Sequence, residues 1–199
     1  LLPRMPTPLL RSTASSSAFR RSLGLLGGAA LLSLAAHSAN AQVVFGLSGT
    51  DLTSVNLANP FASQTRTAIT GVAAGQALVG LDFRPATGEL YALGYDASVA
   101  GSNNAQLYVL NQTTAAATAV GAAMRLELGG SAERIGFDFN PTVDRIRVVS
   151  TNDANYRLHP TTGAVTIDGT LAFAPTDVNA GQNPYVGAAA YTHSYIVAA

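Results

Sequence analysis

The sequence contains no cysteine, no tryptophan and no lysine; all eleven basic residues are arginine. Without cysteine, neither a disulfide nor a lipid-modified cysteine can hold this chain, so the fold rests on packing alone. Charge is scarce as well. Charged residues make up 11% of 199, against about 25% in ordinary globular chains. Ala, Gly, Thr, Ser and Asn fill the difference, which suits a neutral, polar surface. No nucleophile elbow, phosphate loop or His-Glu-x-x-His pattern occurs, so the motif-borne forms of nucleophilic and zinc catalysis have no support. Of the three histidines, His37, His159 and His193, none falls in a catalytic pattern. No residue set calls for a metal or a cofactor, and none is expected.

The basic residues are unevenly spread. Arg4, Arg11, Arg20 and Arg21 lie at the start, ahead of an uncharged run from Leu23 to Ala36. Fourteen helical residues reach only ~21 Å, short of a ~30 Å bilayer core. The small residues of Ala39–Ala41 follow. This pattern predicts a signal peptide over 1–41, cleaved after Ala41, leaving no stable membrane anchor. The domain from 42 to 199 then carries seven arginines against eleven acids, a net charge of −4. That balance argues against nucleic acid, whose phosphates need clustered cations. The expected location is the periplasm or the medium.

A repeat organises the rest. Val79–Leu93 reads VGLDFRPATGELYAL and Ile135–Val149 reads IGFDFNPTVDRIRVV. Gly80, Asp82, Phe83 and Pro85 match Gly136, Asp138, Phe139 and Pro141. Leu107–Gly121 then aligns with Asn155–Gly169, identical at seven of fifteen positions. The first pair is offset by 56 residues and the second by 48. Eight residues are therefore inserted between them, in the Gly/Ser/Asn-rich Tyr95–Ala105 segment. Insertions belong in loops, so the two alignments support each other.

Each repeat holds four short strand-like runs separated by turn signals, and no helical period appears after residue 41. The reading is all-β and β-propeller-like, with four-stranded repeats at 78–121 and 134–169. A first repeat at 42–71 lacks its opening strand, and Val186–Thr192 is expected to supply it, closing the structure edge to edge. Three repeats are fewer than the ~4 to 8 of known propellers, so the chain is expected to be an incomplete propeller, cut short near Thr192.

VGLDFRPATGELYALG, GFDFNPTVDRIRVVS, LHPTTGAVTIDGTLAF and DVNAGQNPYVGAAAYT together resemble the bacterial exported family called domain of unknown function 4394, over about residues 43–192. The resemblance implies propeller-like exported proteins and carries over no catalytic residue.

Three sets of residues are candidates for chemistry. Asp82 and Asp138 could line a channel, but a repeated Asp before a Pro turn more readily accepts backbone N–H groups of that turn. Arg145, Arg147 and Arg157 could clamp an anion, or could pair with Asp144, Asp153 or Glu133 on the surface. Asp177 and Asn179, with Asn183, could offer oxygen to calcium, though the calcium-loop spacing is absent and an Asn/Gly turn is the simpler reading. The leading functional expectation is a non-enzymatic module that binds a partner protein or an envelope polymer. A propeller-class hydrolase or lyase with a channel site at Asp138 and Arg145 is the second, and a structural envelope component the third.

Overall fold

The computed structural model describes residues 42–192 apart from Ala132; the expected signal peptide and the residues after Thr192, His193 among them, lie outside. Eleven strands form three antiparallel sheets, and no helix occurs among the described residues. Blade 1 holds β1 (Val43–Ser48), β2 (Asp51–Asn56) and β3 (Thr65–Ala68). Blade 2 holds β4 (Ala77–Phe83), β5 (Leu90–Tyr95), β6 (Ala105–Leu110) and β7 (Ala117–Met124). Blade 3 holds β8 (Ile135–Asn140), β9 (Arg145–Ser150), β10 (Asn155–Leu158) and β11 (Val165–Ile167). Each sheet is a plain meander in chain order. All eleven fall on the runs expected from the repeat, and the arrangement is that of an incomplete propeller.

Period two explains which side of each strand is buried. In β10, Tyr156 and Leu158 are buried while Asn155 and Arg157 are not. In β5 every residue is buried, as an unbroken apolar run flanked by sheets on both faces requires. Two clusters result. Leu52, Leu90, Ala92, Tyr108 and Leu110 fill the space between blades 1 and 2. Tyr91, Leu93, Leu107, Phe137, Phe139, Ile146, Val148 and Leu158 fill the space between blades 2 and 3.

The blades are joined by contacts that recur at each step. At the inner edge, β4 lies so close to β8 that a Cβ on Gly80 would overlap the Phe137 side chain, 2.6 Å from its Cγ. On the next step a Cβ on Gly136 would sit 2.7 Å from the backbone at Ala188 and Ala189. At the outer edge, Gly71 approaches the Ala117 carbonyl and Gly121 the Thr162 carbonyl, both with φ above +60°. An aromatic of the second strand meets the Phe of the following Gly-x-Asp-Phe edge-on. Phe45–Phe83 and Tyr91–Phe139 have ring centroids 5.8 and 5.2 Å apart, both at 73°. The third step replaces this pair by Arg147 Nε donating to the Tyr191 hydroxyl at 3.4 Å.

Blade 1 has three strands, and residues 186–192 join none of the three sheets. Expected beside β1, this segment lies against β8 instead. Ala188 and Tyr191 stand to blade 3 as Gly136 and Phe139 stand to blade 2, which is the place of a following blade's inner strand.

Candidate functional site

The repeated aspartates tie one blade to the next. Asp82 accepts the Phe83 N–H through Oδ1 and, through Oδ2, the Phe139 N–H of blade 3, each at 2.8 Å. Asp138 Oδ2 accepts the Tyr191 N–H at 2.6 Å. The structural role expected of these residues is therefore present, with a different partner: the neighbouring inner strand, not the Pro turn that follows. Each of the two carboxyls also influences the titration of the other. Burial raises the Asp82 pKa, opposed by its backbone hydrogen bonds. Burial first, then the Asp82 charge, push Asp138 up from 3.8 to about 6, against the Tyr191 N–H that favours its charged form.

The sign of this shift fixes a pH dependence. The folded pKa lies above the unfolded one, so the contribution is complete below pH ~4 and is lost as pH rises through ~6. Asp138→Asn keeps an acceptor for Tyr191 and removes the titrating group. Urea denaturation between pH 4 and 7 is expected to show stability falling with pH in the natural chain. In the variant that fall shrinks to the part that Asp82 contributes, and stability at pH 7 is at least that of the natural chain.

The arginines divide. Arg147 and Arg157 are cross-strand partners, and both guanidinium groups are held by Asp168. Arg157 grips it with two bonds of 2.8 Å, and Arg147 Nη1 donates to Oδ2 at 2.5 Å and to Asn155 Oδ1 at 2.6 Å. The hydrogen bonds from Arg157 and then Arg147 draw the Asp168 pKa down to about 2. None of the three expected acids fills this place. Asp144 pairs instead with Arg84, Nε to Oδ1 at 2.9 Å and Nη2 to Oδ2 at 2.5 Å, joining the first turn of blade 2 to that of blade 3. Glu133 accepts a hydrogen bond from the Thr151 hydroxyl. Arg145 lies apart, its Nη1 donating to the Val143 and Asp144 carbonyls. An open three-arginine clamp is therefore not formed.

Asp177 and Asn179 make the simple turn: Asp177 Oδ1 accepts the Asn179 N–H at 2.8 Å. Asn183 instead reaches the Thr151 carbonyl at 2.9 Å. Among the described residues no three His, Cys, Asp or Glu side chains are placed to hold a metal ion.

A cleft of about 670 Å³ opens where β4 and β8 begin. Val79 and Ile135 form its floor. Its walls are three loops: Gly75 before β4, Tyr95–Ser98 after β5, and Gly130, Ser131 and Glu133 before β8. The Tyr95–Ser98 wall belongs to the eight-residue insertion that breaks the repeat. Asp96 is held in place by Ser98, whose hydroxyl and N–H both donate to Oδ1, at 2.6 and 2.9 Å; those bonds lower its pKa. Tyr95 donates its hydroxyl to the Gly129 carbonyl at 2.8 Å, fixing the third loop against the second. The cleft thus presents two carboxylates and two serine hydroxyls over an apolar floor, and no cation lines it.

No curated protein matches the chain. The family model for the domain of unknown function (DUF4394) matches residues 51–199, the whole of blades 2 and 3 and most of blade 1, and the chain belongs to that family.

Proposed function

We propose that this protein is an exported, non-catalytic binding module whose ligand seats in the cleft at the mouth of blades 2 and 3. The carrying observation is that a segment breaking the repeat, Tyr95–Ala105, supplies a wall of that cleft. Repeats copy scaffold, and individual loops on a rigid scaffold carry binding. Carboxylates and hydroxyls over an apolar floor suit a hydroxyl- and amine-bearing polymer such as an envelope polysaccharide. The same lining disfavours phosphate. Export rests on the charge and hydropathy pattern of residues 1–41.

Two contacts favour binding over the hydrolase or lyase reading: Asp138 accepts the Tyr191 N–H, and Arg145 donates to the carbonyls of the turn before its strand.

Ser131→Trp would fill the cleft from an exposed loop position. Pull-down on insoluble cell-wall polysaccharide is expected to retain the natural chain and to lose at least tenfold of that retention with the variant, at an unchanged unfolding midpoint. Equal retention of both, or none of either, removes the proposal.

A further inference from the structure

The seam between blades 1 and 2 carries a cleft of its own, about 310 Å³, at the same place in the repeat as the mouth cleft between blades 2 and 3. Gly49 and Thr50 of the β1–β2 turn stand where Tyr95–Ser98 stand in the mouth cleft. Val72, Gln76 and the start of β4 stand where the loop before β8 and Ile135 stand. The two clefts meet at Ala77, which lines both. Their chemistry differs. The mouth cleft has Asp96 and Glu133, whereas no charged residue lines its neighbour, and Ile69, Val72, Ala77 and Leu78 make its walls apolar.

Into those apolar walls the fold sets one side-chain amide. The Tyr108 hydroxyl accepts the Ala73 N–H at 3.0 Å and donates its single proton to Gln76 Oε1 at 2.8 Å. That chain of donors fixes which end of the Gln76 amide is oxygen and leaves Nε2 with two hydrogens to give. Among the described residues nothing accepts them. The amide has room because residue 94 is glycine: a Cβ there would overlap Gln76 Oε1 and lie 2.7 Å from Tyr108 Cε2. In the next repeat these two places hold Ala132 and Ser150, so neither half of the seat is copied. A feature that the repeat does not copy is not needed to build a blade.

A group that fills this cleft must bring a neutral acceptor for Nε2 and an apolar part for Ile69, Val72 and Leu78. A carboxylate would lose its water for one uncharged donor, with no cation lining the cleft. A bare sugar hydroxyl would bring no apolar surface to the walls. An acetamido group brings both parts, a carbonyl oxygen and a methyl. We infer that the cleft binds the N-acetyl group of an amino-sugar residue. Its link to a polysaccharide rests on the reading of the mouth cleft, where a neighbouring residue of the same polymer lies. The two clefts then sort an amino-sugar polymer by its nitrogen: a free ammonium faces Asp96 and Glu133, and an acetylated nitrogen lies beside Gln76. The volume, at the lower end of the ~300–1,000 Å³ of small-molecule pockets, suits one sugar residue with its substituent.

The test uses the full chain with two probes, the N-acetylglucosamine pentamer and the glucosamine pentamer. Calorimetric titration is expected to show the acetylated pentamer binding at least tenfold more weakly to Gln76→Glu and to Thr50→Trp than to the natural chain, at unchanged unfolding midpoints. Gln76→Glu keeps the acceptor for Tyr108 and loses only the donor, while Thr50→Trp fills the cleft from an exposed turn. The glucosamine pentamer is expected to bind Gln76→Glu no more weakly than the natural chain. Saturation-transfer NMR is expected to put the strongest transfer on the acetyl methyl. Acetylated pentamer that does not bind, or binds with indifference to both variants, overturns the inference; so does strongest transfer to the ring protons. The two clefts fail separately. Loss with Gln76→Glu but not with Ser131→Trp leaves this site standing and removes the mouth cleft. Binding of the glucosamine pentamer alone, lost with Ser131→Trp, does the reverse.

Discussion

Gly121→Ala is expected to destabilise the fold by ~3 kcal/mol, while Gly169→Ala, at the same place in the next repeat, changes it by less than ~0.5 kcal/mol. Gly121 has φ +66°, a conformation that costs an L-residue ~1–2 kcal/mol. A Cβ there would also overlap the Thr162 carbonyl and lie 3.1 Å from the Gly163 nitrogen. These are backbone atoms of blade 3, which cannot rotate away as a side chain can, so the blades must part by several tenths of an ångström. Overpacking of that kind adds ~1–3 kcal/mol. Gly169 lies two residues after the outer strand of blade 3; nothing lies within 4 Å of its notional Cβ, and its φ is not positive. The expected separation of unfolding midpoints is ~6–12 °C. Both variants alter the glycine at the same repeat position, so the difference between them, less the ~1–2 kcal/mol of backbone strain at Gly121, measures blade-to-blade packing. Equal midpoints would mean that the outer seam contributes nothing to stability.

How far these features could be read before the fold depends on whether their causes are local. Strand positions were legible because alternation and turn residues act within about ten residues, and the repeat checked each assignment twice. The structural role of Asp82 was legible from its repetition. Its partner was not, because Phe139 lies 57 residues away and meets Asp82 only after two sheets pack. The Arg147–Asp168–Arg157 group was missed for a smaller reason. Arg157 faces Thr166 across the β10–β11 pair, and Asp168 is the next residue on that face. Alternation together with the hairpin register pointed to it; closeness in the chain pointed to Asp144 and Asp153. Likewise, Ala188–Tyr191 aligns with Gly-x-Asp-Phe as the opening of a further unit, which is where its contacts place it. The mouth cleft was half visible, since the insertion marked the loop but not the two other loops that meet it.

The Gly-x-Asp-Phe copies are chemically alike and energetically unlike. Phe139→Ala is expected to cost ~3–5 kcal/mol, the range for emptying a well-packed aromatic site. Phe139 is wholly inaccessible and lies in the larger cluster, with Tyr91 edge-on to its ring; such a ring pair adds ~0.5–1.5 kcal/mol beyond area. Its cavity would be walled by β-strands of two complete four-stranded sheets, which cannot collapse to fill it. Phe83→Ala is expected to cost at most half as much. Phe83 is only half-buried, its partner Phe45 comes from the three-stranded sheet, and it lines a cleft of about 240 Å³ between β1 and β4, so water can enter the space that truncation leaves. Guanidinium denaturation of the two variants measures the ratio directly. A ratio near one between the two costs would mean that blade 1 packs on blade 2 as tightly as blade 2 packs on blade 3.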